Sequence, residues 1–135
     1  MVERISYINP KGLVASKGYS HAVAVKGCHT TIYIGGKNGI GKDGSVVGKG
    51  DLKIQTGQAL ENIRITLADA GTDFPDIVKL TIFVVHGQDP RKGFAAFQEK
   101  WTDMSRLPAV SVIFVAGLGH PDWLVEIEAV AVIPE

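Results

Sequence analysis

Two glutamates, Glu126 and Glu128, stand two residues apart in the apolar run Leu124-Val-Glu-Ile-Glu-Ala-Val-Ala131. On a strand, that spacing turns both carboxylates to one face and leaves Val125, Ile127, Ala129 and Ala131 as a core face. Partial desolvation raises a carboxyl pKa towards the range useful in acid–base catalysis. On an open face the same pair is solvated or ion-paired and does no chemistry. The residues alone leave both readings open.

Glycine is the other conspicuous signal, with 16 in the chain and a concentration between Gly35 and Gly50. Gly36-Lys-Asn-Gly-Ile-Gly41-Lys42 approaches a P-loop, but Asp43 follows where that motif needs Ser or Thr for magnesium. Gly39-Ile-Gly41-Lys-Asp-Gly44 matches the dinucleotide fingerprint letter for letter. Both motifs hold phosphate only where the loop opens directly onto a helix. Here Ser45-Val-Val47 and further glycines intervene, so the segment reads as a flexible surface loop. His21, His29, His86 and His120 show no metal-ligand spacing. Cys28 is the single cysteine, which rules out an intrachain disulfide. Its neighbour His29 would point to the opposite face of a strand, so the pair reads as an exposed thiol beside an ordinary histidine.

The elements that position these residues are legible from patterning. His21–Val25 and Thr30–Ile34 read as strands joined through Lys26-Gly-Cys-His29 as a short hairpin. A helix is predicted from about Asp51, its N-cap, to Ala70, with Gly71 as the stop and Leu60, Ile63, Leu67 and Ala70 on its apolar stripe. Asp76–His86 reads as a strand with Val78, Leu80, Ile82 and Val84 on one face. A second helix is predicted from Pro90 to about Asp103, with Phe94, Phe97 and Trp101 on one stripe. Ala109–Ala116 and Trp123–Ile133 close the chain as strands.

This order implies an α/β (α+β) fold: a mostly antiparallel sheet of about six strands with two helices on one face. Ala109–Ala116 is apolar on both faces, as in a strand buried on both sides. With both helices on one face, another copy of the chain is the natural cover for the second.

The 135 residues fit one domain over 1–135. Hydrophobic residues at 45% and charged residues at 21% favour a folded core over disorder. Fourteen basic residues balance fourteen acidic ones. That lack of a basic surplus argues against nucleic acid or an anionic membrane surface as a partner. No apolar run approaches the ~20 residues of a bilayer span, and the start lacks a charged-then-apolar leader. The chain therefore reads as soluble and cytoplasmic.

Several segments, taken in order, resemble the Rid (reactive intermediate deaminase) family, also called the YjgF family. They are Gly18-Tyr-Ser-His-Ala22, Gln58-Ala-Leu-Glu-Asn-Ile63, Leu67 through Ala70-Gly71, Asp76-Ile-Val-Lys79 with Phe83-Val84, Pro108-Ala109 and Val125-Glu-Ile-Glu-Ala-Val-Ala131. The resemblance spans nearly the whole chain, and Glu-Ile-Glu-Ala is its most specific piece. It implies a chorismate-mutase-like fold and a homotrimer whose intersubunit clefts take a small-molecule ligand, with no metal or other cofactor. Active members hydrolyse reactive enamines and imines, which arise from amino-acid breakdown, to the keto acid and ammonia. Transferred by position, Tyr19, Val110 and Val112 would line the cleft, Gly35 would offer backbone to the ligand, and Glu126 would sit beside the attacking water.

Two departures bear on substrate choice. The family's cleft arginine follows the Pro-Ala pair directly, and that position here is Val110. Arginine gives a carboxylate a bidentate, charge-assisted pair; valine offers only a methyl surface. Ile34-Gly35-Gly36 stands where active members often read Ser-Gly-Gln, and the family's cleft asparagine has no counterpart in the short segment before Pro108. The resemblance thus implies a deaminase-type hydrolase with altered substrate choice. A non-catalytic metabolite-binding module is the alternative, and an endoribonuclease-type activity, a label some relatives carry, is the weakest reading.

Overall fold

The computed structural model describes residues 4–135. Among them the chain forms six strands and two α-helices: β1 (Ile5–Ile8), β2 (Ala22–Val25), β3 (His29–Lys37), α1 (Leu52–Asp69), β4 (Ile77–Val85), α2 (Pro90–Lys100), β5 (Ala109–Val115) and β6 (Val125–Pro134). Both helices are set by local chemistry. The Asp51 carboxylate accepts from the Ile54 amide at 3.0 Å and caps α1. Gly71, at φ +84°, ends it in a conformation that costs a side-chain-bearing residue more. Asp89 caps α2 through the Arg91 amide at 3.0 Å, and Pro90 occupies a first-turn position that needs no amide donor.

The main sheet runs β3-β6-β4-β5, antiparallel except for the parallel β4–β5 pair. Parallel neighbours need a crossover, and α2 supplies it. β1 and β2 form a separate antiparallel ribbon. A parallel bridge between Ser20 and Ala109 ties the ribbon's start to β5, with the Ser20 amide donating to the Pro108 carbonyl at 2.8 Å.

The expected hairpin between the second and third strands does not form. β2 pairs with β1, which the sequence reading missed, and β3 pairs with β6. Gly27, at φ +77°, turns the chain from one sheet to the other. On β3 the buried Ile34 lies opposite Ala129 of β6, a large-against-small pairing that suits it to that edge.

The core lies between the helices and one face of the main sheet. Leu60, Ile63 and Leu67 of α1 are fully buried against Leu80, Val125, Ile127 and Ala131. Each such side chain contributes about 1.5–3 kcal/mol through burial. Ala70, expected on that stripe, is exposed, because the helix has already ended there. On β4 an irregular register between Ile77 and Lys79 gives the inward position to Ile77, and Val78 is only half-buried. Phe94, expected on the core stripe of α2, is 46% exposed.

The far face of the sheet has no covering layer in the chain. On β5, Ile113 of that face is 43% exposed, and on the helix-facing side Val112 is 50% and Phe114 49% exposed. A strand expected to be buried on both sides is therefore open on both within a single chain. No helix among the described residues is long and apolar enough to cross a membrane.

Candidate functional site

Register and strand alternation decide where the chemistry-bearing residues point. Leu80 lies opposite Ala129 on one side and Val110 on the other, and Ile82 lies between Ile127 and Val112. Leu80, Ile82, Ile127 and Ala129 face the helices, so Val110 and Val112 do too. Glu126 and Glu128 lie opposite Phe83 and Thr81 and face away from the helices. The two glutamates share a face, as their spacing predicts, but not an environment. Glu126 is half-buried and Glu128 is exposed.

Glu126 owes its setting to β3. Between Ile34 and Lys37 the register slips, so Gly35 and Gly36 form a bulge beside the glutamate pair. A Cβ on Gly36 would lie 2.7 Å from the Glu126 carboxyl carbon. Only glycine leaves that space free. Beyond the bulge, the buried Asn38 donates from Nδ2 to Glu126 Oε1 at 3.1 Å and to the Val125 carbonyl at 3.3 Å. Asn62 of α1 in turn donates to the Asn38 and Ile40 carbonyls at 3.1 and 2.9 Å, and Gln58 donates to Asn62 Oδ1 at 2.9 Å. One carboxylate oxygen is fixed from below by this relay. Oε2 accepts no hydrogen bond among the described residues, which leaves it able to take a proton from water.

Asn38 escaped the sequence reading because it sits in the stretch taken as a flexible surface loop. That stretch is instead anchored. Ile40 bridges Val46, the Val47 amide donates to the Gly39 carbonyl at 2.7 Å, and Gly39 lies so close that a Cβ would meet Gln55 at 2.7 Å. The available signal was Asn62, whose helical face points back at this segment. As expected, the segment does not open onto a helix; α1 starts only at Leu52.

The remaining predicted residues gather on the other face. Tyr19, Val110 and Val112 line a cavity of about 540 Å³ between α2 and the sheet. Its wall is apolar, with Ile82, Phe97 and Trp101 prominent, and among the described residues Lys17 is its only charged one. Tyr19 packs edge-on against His21 at 5.3 Å, and the His21 ring is held by the Val14 carbonyl at 2.7 Å. The cavity exists because α2 is tied sideways to α1 and not down onto the sheet. Lys53 meets Glu99 at 2.8 Å and Lys100 meets Glu61 at 3.7 Å. The Lys53 hydrogen bond and charge hold the Glu99 carboxyl below its usual range.

The predicted site residues therefore form two groups on opposite faces of one sheet. Glu126 and Gly35 make one, and Tyr19, Val110 and Val112 make the other. Among the described residues no cluster of His, Cys, Asp or Glu is arranged to hold a metal ion. Cys28 is exposed, and the His29 ring bonds the Gly27 carbonyl at 2.9 Å.

A sheet with both helices on one face, an apolar cavity beneath the second helix and a carboxylate held on the far face define an α+β fold class. Comparison with known proteins makes the class specific. The endoribonuclease L-PSP family model matches residues 10–133. A RutC family protein of Pyrococcus abyssi is 32% identical over 113 residues, covering 84% of each chain. The mouse 2-iminobutanoate/2-iminopropanoate deaminase is 35% identical over 116 residues, 84% of this chain and 80% of that one. The crystal structure of YyfB, a Rid-family protein of unknown function from Yersinia pestis, superposes with a TM-score of 0.85 at 32% identity over 97% of this chain and 100% of that one. The chain belongs to the Rid/YjgF family.

Proposed function

We propose that the protein hydrolyses small imines or enamines, as a homotrimer whose clefts join the cavity side of one chain to the Glu126 side of another. The observation that carries this reading is Glu126: half-buried, pinned through Oε1 by Asn38, with Oε2 open over the glycine bulge. A general base needs that combination of fixed position and free acceptor. The deaminase named among the relatives supports the reaction class.

In the proposed reaction, Glu126 takes a proton from water as the oxygen adds to the carbon of the C=N bond. Glu126 returns that proton to the nitrogen as the bond becomes single. Collapse of the carbinolamine then breaks the C–N bond, releases ammonia and leaves a carbonyl compound. Val110 removes the arginine that would grip a carboxylate, so recognition falls to apolar contacts at the cavity. The trimer is supported by the open apolar surface of β5, where three large side chains are 43–50% exposed.

The test is ammonia release from a panel of freshly generated imines, with light scattering on the same sample at micromolar concentration. The expected results are turnover of imines lacking a carboxylate and a mass about three times the 14.4 kDa chain. A monomer mass, or no ammonia from any imine in the panel, overturns the reading. Ligand binding without ammonia release would favour the metabolite-binding module, for which the apolar cavity is equally suited.

A further inference from the structure

The cavity between α2 and the sheet reaches beyond what a small imine needs, and its chemistry is unusually one-sided. Twenty residues line it, and the body of the wall is hydrocarbon: Leu80, Ile82 and Val84 from the sheet floor, Phe97 and Trp101 from α2. Its polar side chains are few and mostly committed or peripheral. Thr56 Oγ1 is spent on the Leu52 carbonyl at 2.7 Å, and Lys17 is exposed at the edge. Among the described residues no carboxylate lines it. A volume of about 540 Å³ falls in the range of pockets that enclose small organic ligands.

Such a wall discriminates by desolvation. A charged group entering it loses water and gains no partner, whereas an apolar group loses only unfavourable hydration. The helical wall is also built to leave room. Gly93 of α2 faces α1, and a Cβ there would make only ordinary contacts with Thr56 Oγ1 (3.4 Å) and Leu52 (3.9 Å). The space is therefore not forced by a clash on that side.

We infer that this cavity is a specificity pocket for a bulky neutral apolar group, an aromatic ring or a branched aliphatic chain, carried by the ligand of the cleft. The inference deepens the proposed function and rests on Tyr19 and Val110 marking the pocket's ligand-facing side. The body of the ligand lies under α2, against Ile82, Val112 and Trp101, while its polar end stays near Tyr19. Substrates are selected by side-chain size, and neither an ammonium nor a carboxylate substitutes for hydrocarbon inside.

The experiment is calorimetric titration of the intact protein with neutral primary amides of increasing side chain: acetamide, 3-methylbutanamide and phenylacetamide, with phenylacetate and 2-phenylethylamine as charged arms. Affinity is expected to rise about fourfold per buried methylene, the equivalent of ~0.8 kcal/mol. Phenylacetamide should bind at least tenfold more tightly than either charged arm. Two variants fill the space from opposite walls. Val112→Trp enters from β5, and Gly93→Leu enters from α2, where leucine also favours the helix. Each should abolish the size dependence, with circular dichroism and thermal melts showing that each variant is folded. Affinity flat across the amides, equal binding of the charged arms, or full phenylacetamide binding by Gly93→Leu would overturn the inference. Amide binding is read from heat alone, whether or not the protein releases ammonia from imines. Pocket binding and hydrolysis thus fail separately.

Discussion

Glu126→Gln should keep the fold and the oligomer and lower hydrolysis by ~10²-fold or more, the usual worth of a positioned acid–base group. The two side chains are nearly isosteric. The Gln carboxamide can present its oxygen to Asn38 Nδ2, as Glu126 Oε1 does at 3.1 Å. What is lost is the second oxygen's ability to accept a proton. Glu128→Gln is the matched control, two residues along the same strand face but exposed and outside the Asn38 relay. Its rate should stay within about twofold of the native protein, as for a surface change distant from any built feature. The check is kcat and kcat/KM for both variants on the best imine of the panel, with thermal melts alongside. Small, equal effects from both changes would mean that neither glutamate takes part in the reaction.

Val110→Arg should turn the preference of the protein towards carboxylated imines. A well-formed guanidinium–carboxylate pair is worth ~1.5–3 kcal/mol, or about 10- to 150-fold. The gain should fall at the low end, because no carboxylate lines the cavity to orient the new guanidinium before substrate arrives. Glu126 of the same chain faces the other side of the sheet and cannot serve. An unpartnered cation beside Leu80 and Ile82 should also destabilise the protein by ~1–3 kcal/mol, visible as a lowered melting temperature. The measurement is a substrate panel on both proteins, comparing kcat/KM for paired imines with and without a carboxylate. Robust native activity on carboxylated imines would contradict the argument from Val110. Arg106, just upstream of Pro108, could not supply the anchor instead, since its side chain is engaged by Asp76 at 2.9 Å and Tyr7 at 3.2 Å.

How far the sequence carried the structure depended on whether a signal was local. α1 and α2 were legible because Asp51, Gly71 and Pro90 act within a turn of themselves. β6 was legible because of its alternation, and Val125, Ile127, Ala129 and Ala131 are indeed buried, with Val132 buried besides. Pairing was less legible. Lys26-Gly-Cys-His29 has the composition of a hairpin turn, yet the strands it joins pair elsewhere, with Ile5–Ile8 and with β6. That choice is made by long-range packing, which turn composition does not encode.

The site divided in the same way. The shared face of Glu126 and Glu128 followed from period-two spacing, whereas their different exposure depends on the glycine bulge and Asn38 arriving from β3. Tyr19, Val110 and Val112 were singled out through family resemblance, and the structure brings them to one cavity. That Glu126 faces away from them required the register of three strands. Phe94, Phe97 and Trp101 were read as one buried stripe. Only Trp101 is fully buried, because α2 leans on α1 and stands off the sheet. A hollow of that kind is a property of helix placement, and no residue pattern announces it.

The opposed faces of Glu126 and the cavity make complementation between subunits the most direct measurement. Glu126→Gln and Val112→Trp chains, each inactive as a pure oligomer, are co-expressed under two tags and the mixed oligomers purified through both. In a three-membered ring where the cavity of one chain meets Glu126 of the next, every mixed trimer holds one cleft in three with both parts intact. The expected result is ammonia release at about a third of the native rate per chain. Mixed oligomers, verified by mass, that stay as inactive as their parents would contradict a site shared between chains.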